Sequence, residues 1–318
     1  MSTLESLVRE SSHALVVGVG GGGDVVGALA CARFLEFLGL GFHLGGLPWE
    51  RYVYDPRPGP RPLADIEHVR VLHPHAWLVN GATRTRDGVR FAESEMATFH
   101  GREVLHVDIL AGAKGAAEGL DAAARALGAD LLVGLDVGGD SLAAGGEPGL
   151  RSPLADAVML AAFAELEGRG QRALWAVFGY GSDGELTPAE IESALALVAR
   201  KGGLLGAWGL TQKVADELER VIERVPTEAS AVPLECARGA TGVRRIRNDE
   251  RRVVLTPLAT LTFFLSPRAV VEAVSRPAKA VAGSTSLEEA NDALHALGIY
   301  TELDFERDKA AGKERGGK

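Results

Sequence analysis

The densest group of side chains able to do chemistry lies between residues 136 and 156, where Asp136, Asp140, Glu147 and Asp156 are set among Gly138, Gly139 and Gly149. Asp136 closes an apolar run, 130–137, of the kind that forms a buried strand, and Asp140 follows one glycine pair later. Carboxylates brought together beside such a loop repel one another and raise each other's pKa. A hard divalent cation is their natural counter-charge, because Mg²⁺ and similar ions take oxygen ligands and keep waters for a substrate. Asp136, Asp140 and Glu147 are therefore candidate ligands for Mg²⁺ or Mn²⁺, and Asp136 and Asp140 candidate catalytic groups. Asp156 stands in the first turn of a helix and either joins this set or complements the helix dipole. Asp140 and Glu147 have the further alternative of being solvated loop acids.

A second candidate is Gly18-Val19-Gly20-Gly21-Gly22-Gly23-Asp24, between a strand and a helix. Gly18, Gly20 and Gly23 satisfy the spacing of a dinucleotide fingerprint, in which bare backbone and a helix N-terminus approach a pyrophosphate. That fingerprint also wants an acid about 20 residues on for the ribose. Here His43 occupies that place and the next acid is Glu50, so NAD(P) is the weaker expectation. Asp24 at the helix start also sets like charge against a phosphate. The loop reads either as a tight turn capped by Asp24 or as a cradle, Gly20, Gly21, Gly22 and Gly23, for another anionic or polyhydroxy ligand. In the second case Asp24 would orient a hydroxyl or serve the metal.

Trp49-Glu50-Arg51, followed by the proline-set stretch 55–61 with Arg57, forms a rigid loop carrying aromatic, acidic and basic groups. It is read either as a cover for a pocket, with Arg51 or Arg57 closing on an anion and Glu50 beside them, or as a surface excursion. His73 and His75 lack a third ligand at zinc spacing, His106 stands at a strand end as a site contributor or a structural residue, and Cys236 has no identifiable histidine partner. The arginines at 244, 245, 247, 251 and 252 are read as the solvated edge of a hairpin.

These residues need a frame that brings distant loops together. Strand-like runs at 13–19, 41–47, 69–79, 103–109, 130–137 and 173–178 alternate with helical stretches at 25–38, 116–127, 153–167 and 188–200. Ser152-Pro153 and Thr187-Pro188-Ala189-Glu190 supply start signals for the last two helices. The alternation predicts an α/β fold, with a Rossmann-like parallel or mixed sheet covered by helices on both faces. Residues 1–203 are the expected ligand-binding core. Residues 204–305, with a helix at 211–225, a hairpin at 243–255 and helices near 267–275 and 286–298, are expected to form an α+β extension. Residues 306–318 alternate charge with glycine and are expected to be a disordered tail.

Composition narrows the classes. The chain has 318 residues, and its net charge of −9, from 34 basic and 43 acidic side chains, argues against nucleic-acid binding by bulk charge. Two cysteines suggest a reducing compartment. No apolar run has the length of a membrane span, and the polar start lacks a secretion pattern, so a cytoplasmic protein without a membrane partner is expected. Assembly as a homo-oligomer is left open.

The segments 20–28 (GGGGDVVGA), Trp49-Glu50-Arg51 with 55–61 (DPRPGPR), and 134–156 (GLDVGGDSLAAGGEPGLRSPLAD) resemble the marker segments of the domain-of-unknown-function 1152 family, found in archaea and some bacteria. The resemblance covers nearly the whole chain short of its tail, and it implies no activity. The residues themselves favour an enzyme for a small anionic or polyhydroxy metabolite, such as a sugar phosphate, nucleotide or carboxylate, by metal-assisted hydrolysis, elimination or phosphoryl transfer. An NAD(P)-dependent oxidoreductase and a non-catalytic sensor or carrier are the alternatives.

Overall fold

A computed structural model describes residues 3–313. Its centre is a nine-stranded mixed sheet. Beginning at the middle, β1 (His13–Gly18) is flanked by β2 (Gly41–Gly46) on one side. Beyond β2 lie β5 (Val104–Val107), β4 (Ala76–Thr85) and β3 (Ile66–His73). On the other side come β6 (Leu131–Val137), β7 (Ala173–Phe178), β11 (Leu261–Leu265) and β8 (Leu204–Gly209). The strands β5-β2-β1-β6-β7 run parallel, and antiparallel pairings extend them at both ends. A separate two-stranded hairpin joins β9 (Gly242–Ile246) to β10 (Arg251–Leu255).

Side-chain alternation builds two cores from one sheet. Leu15, Val17, Leu132, Trp175 and Val177 point to one face, where they meet the helices Gly112–Leu127, Pro153–Gly168 and Pro188–Arg200. Ala14, Val16, Leu131, Val133, Leu135 and Ala176 point to the other, against Asp24–Phe37, Ala92–His100, Gln212–Ile222 and Glu228–Ala237. Strands buried on both faces must be apolar throughout, which is why β1, β6 and β7 read as continuous hydrophobic runs. No described helix is long and apolar enough to cross a membrane.

Three expectations change. The stretch 69–79 holds the greater part of an antiparallel pair rather than one strand, because Pro74 and His75 turn the chain between β3 and β4. Residues 204–305 do not merely pack on the sheet: they supply β8 and β11 to it, while the rest of the C-terminal region is largely helical. The expected disordered tail begins instead inside a helix, Glu302–Ala310, opened by a Thr301 capping box. The remainder of that tail, 314–318, lies outside the described residues. What anchors the helix is Glu306, 5% exposed, whose carboxylate accepts from Trp49 Nε1 (3.0 Å) and from the Gly59 amide (2.8 Å). A charged sequence end gave no sign of this anchor, because the apolar partner it needs lies some 250 residues earlier.

Glu306→Ala leaves the buried Trp49 indole and the Gly59 amide unpaired, and is expected to lower stability by about 1–3 kcal/mol. Urea unfolding of the two proteins measures it; identical midpoints would mean that the helix is not docked in solution.

Candidate functional site

Order reverses at β1, which connects outward to β2 on one side and pairs with β6 on the other. Such a switch point opens a crevice at the carboxyl ends of parallel strands, where α/β proteins bind ligands. A cleft of about 510 Å³ lies here, with the loops following β1, β2 and β7 in its wall and Val137 and Asp140 from the end of β6. Gly20–Gly23 and Asp24 come from the first loop, Trp49–Val53 from the second, Asp140 from the third and Asp183 and Glu185 from the fourth. The N-terminus of helix Pro153–Gly168 adds Ser152 and Asp156, and the C-terminal helix adds Glu302. The glycine loop and the carboxylate-bearing loop thus share one cavity, joined directly where the Val137 amide points to Asp24 Oδ2 at 3.4 Å.

The cleft floor is acidic. Oxygens of Asp136, Asp140 and Asp156 lie within 4.8 Å of one another, as do those of Asp140, Asp183 and Glu185, so Asp140 belongs to both groups. At an effective dielectric near 20, two ionised carboxylates at this spacing repel by about 3–4 kcal/mol. Three such pairs would cost about 10 kcal/mol, comparable to the whole stability of a domain. The cluster must therefore be partly protonated or hold a cation. Burial, and after it the neighbouring acids, holds the carboxyls of Asp140, Asp156 and Asp183 well above the usual range. Burial and Asp136 push Asp24 up to about 8, although its edge faces the cleft.

Hydrogen-bond capacity separates potential ligands from braces. A carboxylate accepts about four bonds. Glu185 already takes the amides of Arg151 (2.6 Å) and Ser152 (3.0 Å), the Ser152 hydroxyl and Arg251 Nη1 (2.7 Å). It is a brace. Asp136 accepts from the Gly139 amide (3.0 Å) and from the amide and hydroxyl of Ser141, which fixes its orientation and leaves capacity on Oδ1. Asp156 Oδ1 and both carboxylate oxygens of Asp183 are buried with no hydrogen-bond partner. Gly138 makes room for Asp183: its φ is +121°, and a Cβ there would collide with that carboxyl group. The oxygens best able to receive a cation are thus those of Asp140, Asp156 and Asp136 Oδ1, with Asp183 at their side.

Arginines also line the cleft. Arg51, Arg247 and Arg251 border the cleft, and the last two come from the β9–β10 hairpin. The expectation of a solvated arginine edge holds for Arg245, which is exposed, and fails for Arg247 and Arg251. Arg251 is drawn inward by Glu185, and the hairpin backbone packs against Gly184.

The four consecutive glycines line the cleft without forming an open cradle. The Gly20 amide donates to Asp24 Oδ2 (3.0 Å) and the Gly22 amide to the Trp49 carbonyl (3.0 Å). Gly21, with φ +77°, would set a Cβ 2.7 Å from that same carbonyl. Close approach to the Trp49 loop requires glycine at 21, Thr227 crowds Gly23, and the Gly20 and Gly22 amides are already used. Asp24 opens its helix and bonds the loop before it.

Other predicted residues are placed elsewhere. Arg57 pairs with Asp65 and does not line the cleft, so it closes over nothing there. Glu147 turns back to accept the amides of Ala144 (2.7 Å), Gly145 (2.8 Å) and Gly146 (2.9 Å), which makes it the organiser of its own loop and takes it out of the metal set. Ser152 does not cap its helix; Glu302 does, accepting from Leu154 (3.0 Å) and Ala155 (2.8 Å). Glu50 lines the cleft and accepts the Ala92 amide (2.6 Å), while burial and then Glu93 raise its carboxyl to about 8. His106 is in the core, bonded to Glu93 at 3.1 Å, and burial lowers its pKa to about 3. His75 pairs with Asp108, and Cys236 is buried in its helix; neither borders the cleft.

Asp183, Glu185, Arg247, Arg251 and Glu302 are the residues that sequence reasoning missed. The only available signal was that Asp183 and Glu185 follow a predicted strand, as Asp136 and Asp140 do.

The sequence family described as protein of unknown function (DUF1152) matches residues 15–310. No curated protein and no solved structure matches the chain.

An acid whose folded pKa is raised binds more protons in the native than in the unfolded state, so native stability falls as pH rises. For Asp24 and Glu302, both raised to about 8, the interval runs from near pH 4 to pH 8. The metal-free protein is expected to melt at progressively lower temperature across it. Added Mn²⁺ should raise the melting temperature, and by more at pH 8 than at pH 5. Calorimetric scans with and without the ion test this, and a metal-free melting temperature that climbed with pH would contradict the assignment.

Proposed function

Because the chain belongs to the DUF1152 family, whose description carries no activity, the chemistry of the cleft is the guide, and we propose a divalent-metal-assisted enzyme for a small anionic or polyhydroxy metabolite. The observation that carries the proposal is the buried set Asp136, Asp140 and Asp156, with Asp156 Oδ1 left unpartnered inside the protein. An isolated carboxylate oxygen in that position costs free energy that a bound cation would recover. Mg²⁺ or Mn²⁺ held by Asp140, Asp156 and Asp136 Oδ1 would retain waters facing the cleft. Such an ion polarises an anionic substrate or lowers the pKa of a bound water, which suits hydrolysis, elimination and phosphoryl transfer alike.

The other walls supply complementary parts. Asp24 and Glu50 face the cavity with carboxyls raised to about 8, placed to accept from substrate hydroxyls or to exchange protons near neutral pH. Gly20–Gly23 bring bare backbone to the cleft, and Arg51 adds positive charge to its lining. Among the described residues, the glycine loop keeps too few unspent amides to favour a nicotinamide dinucleotide.

Titration calorimetry with Mn²⁺ tests the proposal. Wild-type protein should bind the ion, and Asp140→Asn should weaken binding by at least about 100-fold, since loss of supporting partners alone costs about 10–100-fold. Glu147→Gln should leave it unchanged. Equal affinity in Asp140→Asn and wild type would remove the metal centre. Native mass spectrometry of the purified protein with its co-purifying small molecules then separates enzyme from carrier, a ligand recovered unchanged after incubation marking the latter.

A further inference from the structure

At the same cleft, two guanidinium groups from distant parts of the chain meet over one carboxylate. Arg51 Nη1 and Arg247 Nη1 each lie 3.8 Å from Glu228 Oε2. That is ion-pair distance, longer than a hydrogen bond. Glu228 spends its oxygens on the backbone amide of Arg247, at 3.1 and 3.2 Å. One carboxylate therefore pins the hairpin and leaves the pair of arginines with a net positive charge. Arg247 Nε is buried with no hydrogen-bond partner. Arg247 thus borders the cleft with its Nε shut away from solvent and unpaired, which is the reverse of a surface salt bridge.

Backbone geometry holds that side chain in place. Arg247, Asn248 and Asp249 all have left-handed φ values, 58°, 56° and 69°. Asn and Asp tolerate this region, whereas an arginine adopts it at a cost. Arg251, four residues on, ties the other strand of the hairpin to Glu185 and the Asp183 carbonyl. Arg247 thus stands within electrostatic reach of both Asp24 and Asp183.

We propose that Arg247 and Arg51 form the anion-binding half of the site and that its substrate is a phosphorylated metabolite, whose phosphoryl group sits between these guanidiniums and the cation held by Asp136, Asp140 and Asp156. The proposal rests on the metal centre above. Without a cation, the acidic floor would repel a phosphate; with one, the cavity presents a metal ion on one side and two guanidiniums on the other, which suits a dianion better than a singly charged carboxylate. Planar guanidinium groups, with Nε and Nη side by side, match pairs of phosphate oxygens. The glycine loop cannot take this part, because its Gly20 and Gly22 amides are spent and Asp24 and Asp156 lie against it.

Equilibrium dialysis of radiolabelled inorganic phosphate against the full-length protein, with and without Mn²⁺, tests it. Phosphate should bind with Mn²⁺ present and at least about tenfold more weakly without it. Arg247→Gln and Arg51→Gln should each weaken phosphate binding by about 10–100-fold, the equivalent of a charged hydrogen bond, without weakening Mn²⁺ binding. Arg245→Gln, on the exposed side of the hairpin, should match wild type. Wild-type protein that binds Mn²⁺ but not phosphate, or Gln variants that bind phosphate normally, would overturn the anion site and leave the metal centre standing. Malonate displacing phosphate at equal concentration would overturn the phosphoryl assignment. Failure of wild type to bind Mn²⁺ would remove both.

Discussion

Charge repulsion among buried carboxylates at one rim of the sheet is the constraint around which this protein is organised. Asp136, Asp140, Asp156 and Asp183 are all less than a tenth exposed and converge on one small volume. Hydrophobic packing alone would not gather them, since each costs free energy to bury as an ion. They are held because the fold brings the ends of neighbouring parallel strands together, and two large apolar cores supply the stability to tolerate the arrangement. Much of the surrounding detail follows from that. Ser141 braces Asp136 and is itself held by Trp175 Nε1 at 2.8 Å; Glu185 ties the turn after β7 back to the start of helix Pro153–Gly168. The stabilising and the charged parts of the molecule lie on the same strands, apolar along their length and polar at their tips.

The frame was largely legible in the amino-acid order. Continuous apolar runs identify β1, β6 and β7, and the Thr187 capping box and Pro153 mark helix starts that the structure keeps. Local periodicity suffices for such elements because their burial is symmetrical and their ends carry recognisable chemistry. It fails for β8 and β11, at the far end of the sheet, where Leu204–Gly209 is short, half-exposed and glycine-bearing. It also fails for β3 and β4, whose turn at Pro74-His75 is hidden inside an apparently continuous stretch.

The site was legible in part, and the reason is distance along the chain. Asp136, Asp140 and Asp156 stand close together in sequence and after a strand, so their meeting can be inferred from one loop. Glu147 shares that loop, yet a carboxylate two or three residues from free amides is satisfied locally before it can reach a metal. Arg57 finds Asp65 eight residues away for the same reason. Arg247 and Glu302 carry no such local signature. Their positions depend on how the C-terminal third folds back across the carboxyl ends of strands formed by the first half.

That return has a consequence for how the molecule comes into being. Glu302 caps a helix that begins almost 150 residues before it, and Glu306 holds an indole 257 residues away. During synthesis the central strands can pair as they emerge, but the cavity lacks its last wall until the helix carrying Glu302 and Glu306 has left the ribosome. Contacts closing such long loops form late and slowly. The nascent chain therefore passes through a stage with an assembled sheet and an open, acid-lined gap, and the cavity is finished only when Glu302 and Glu306 reach it.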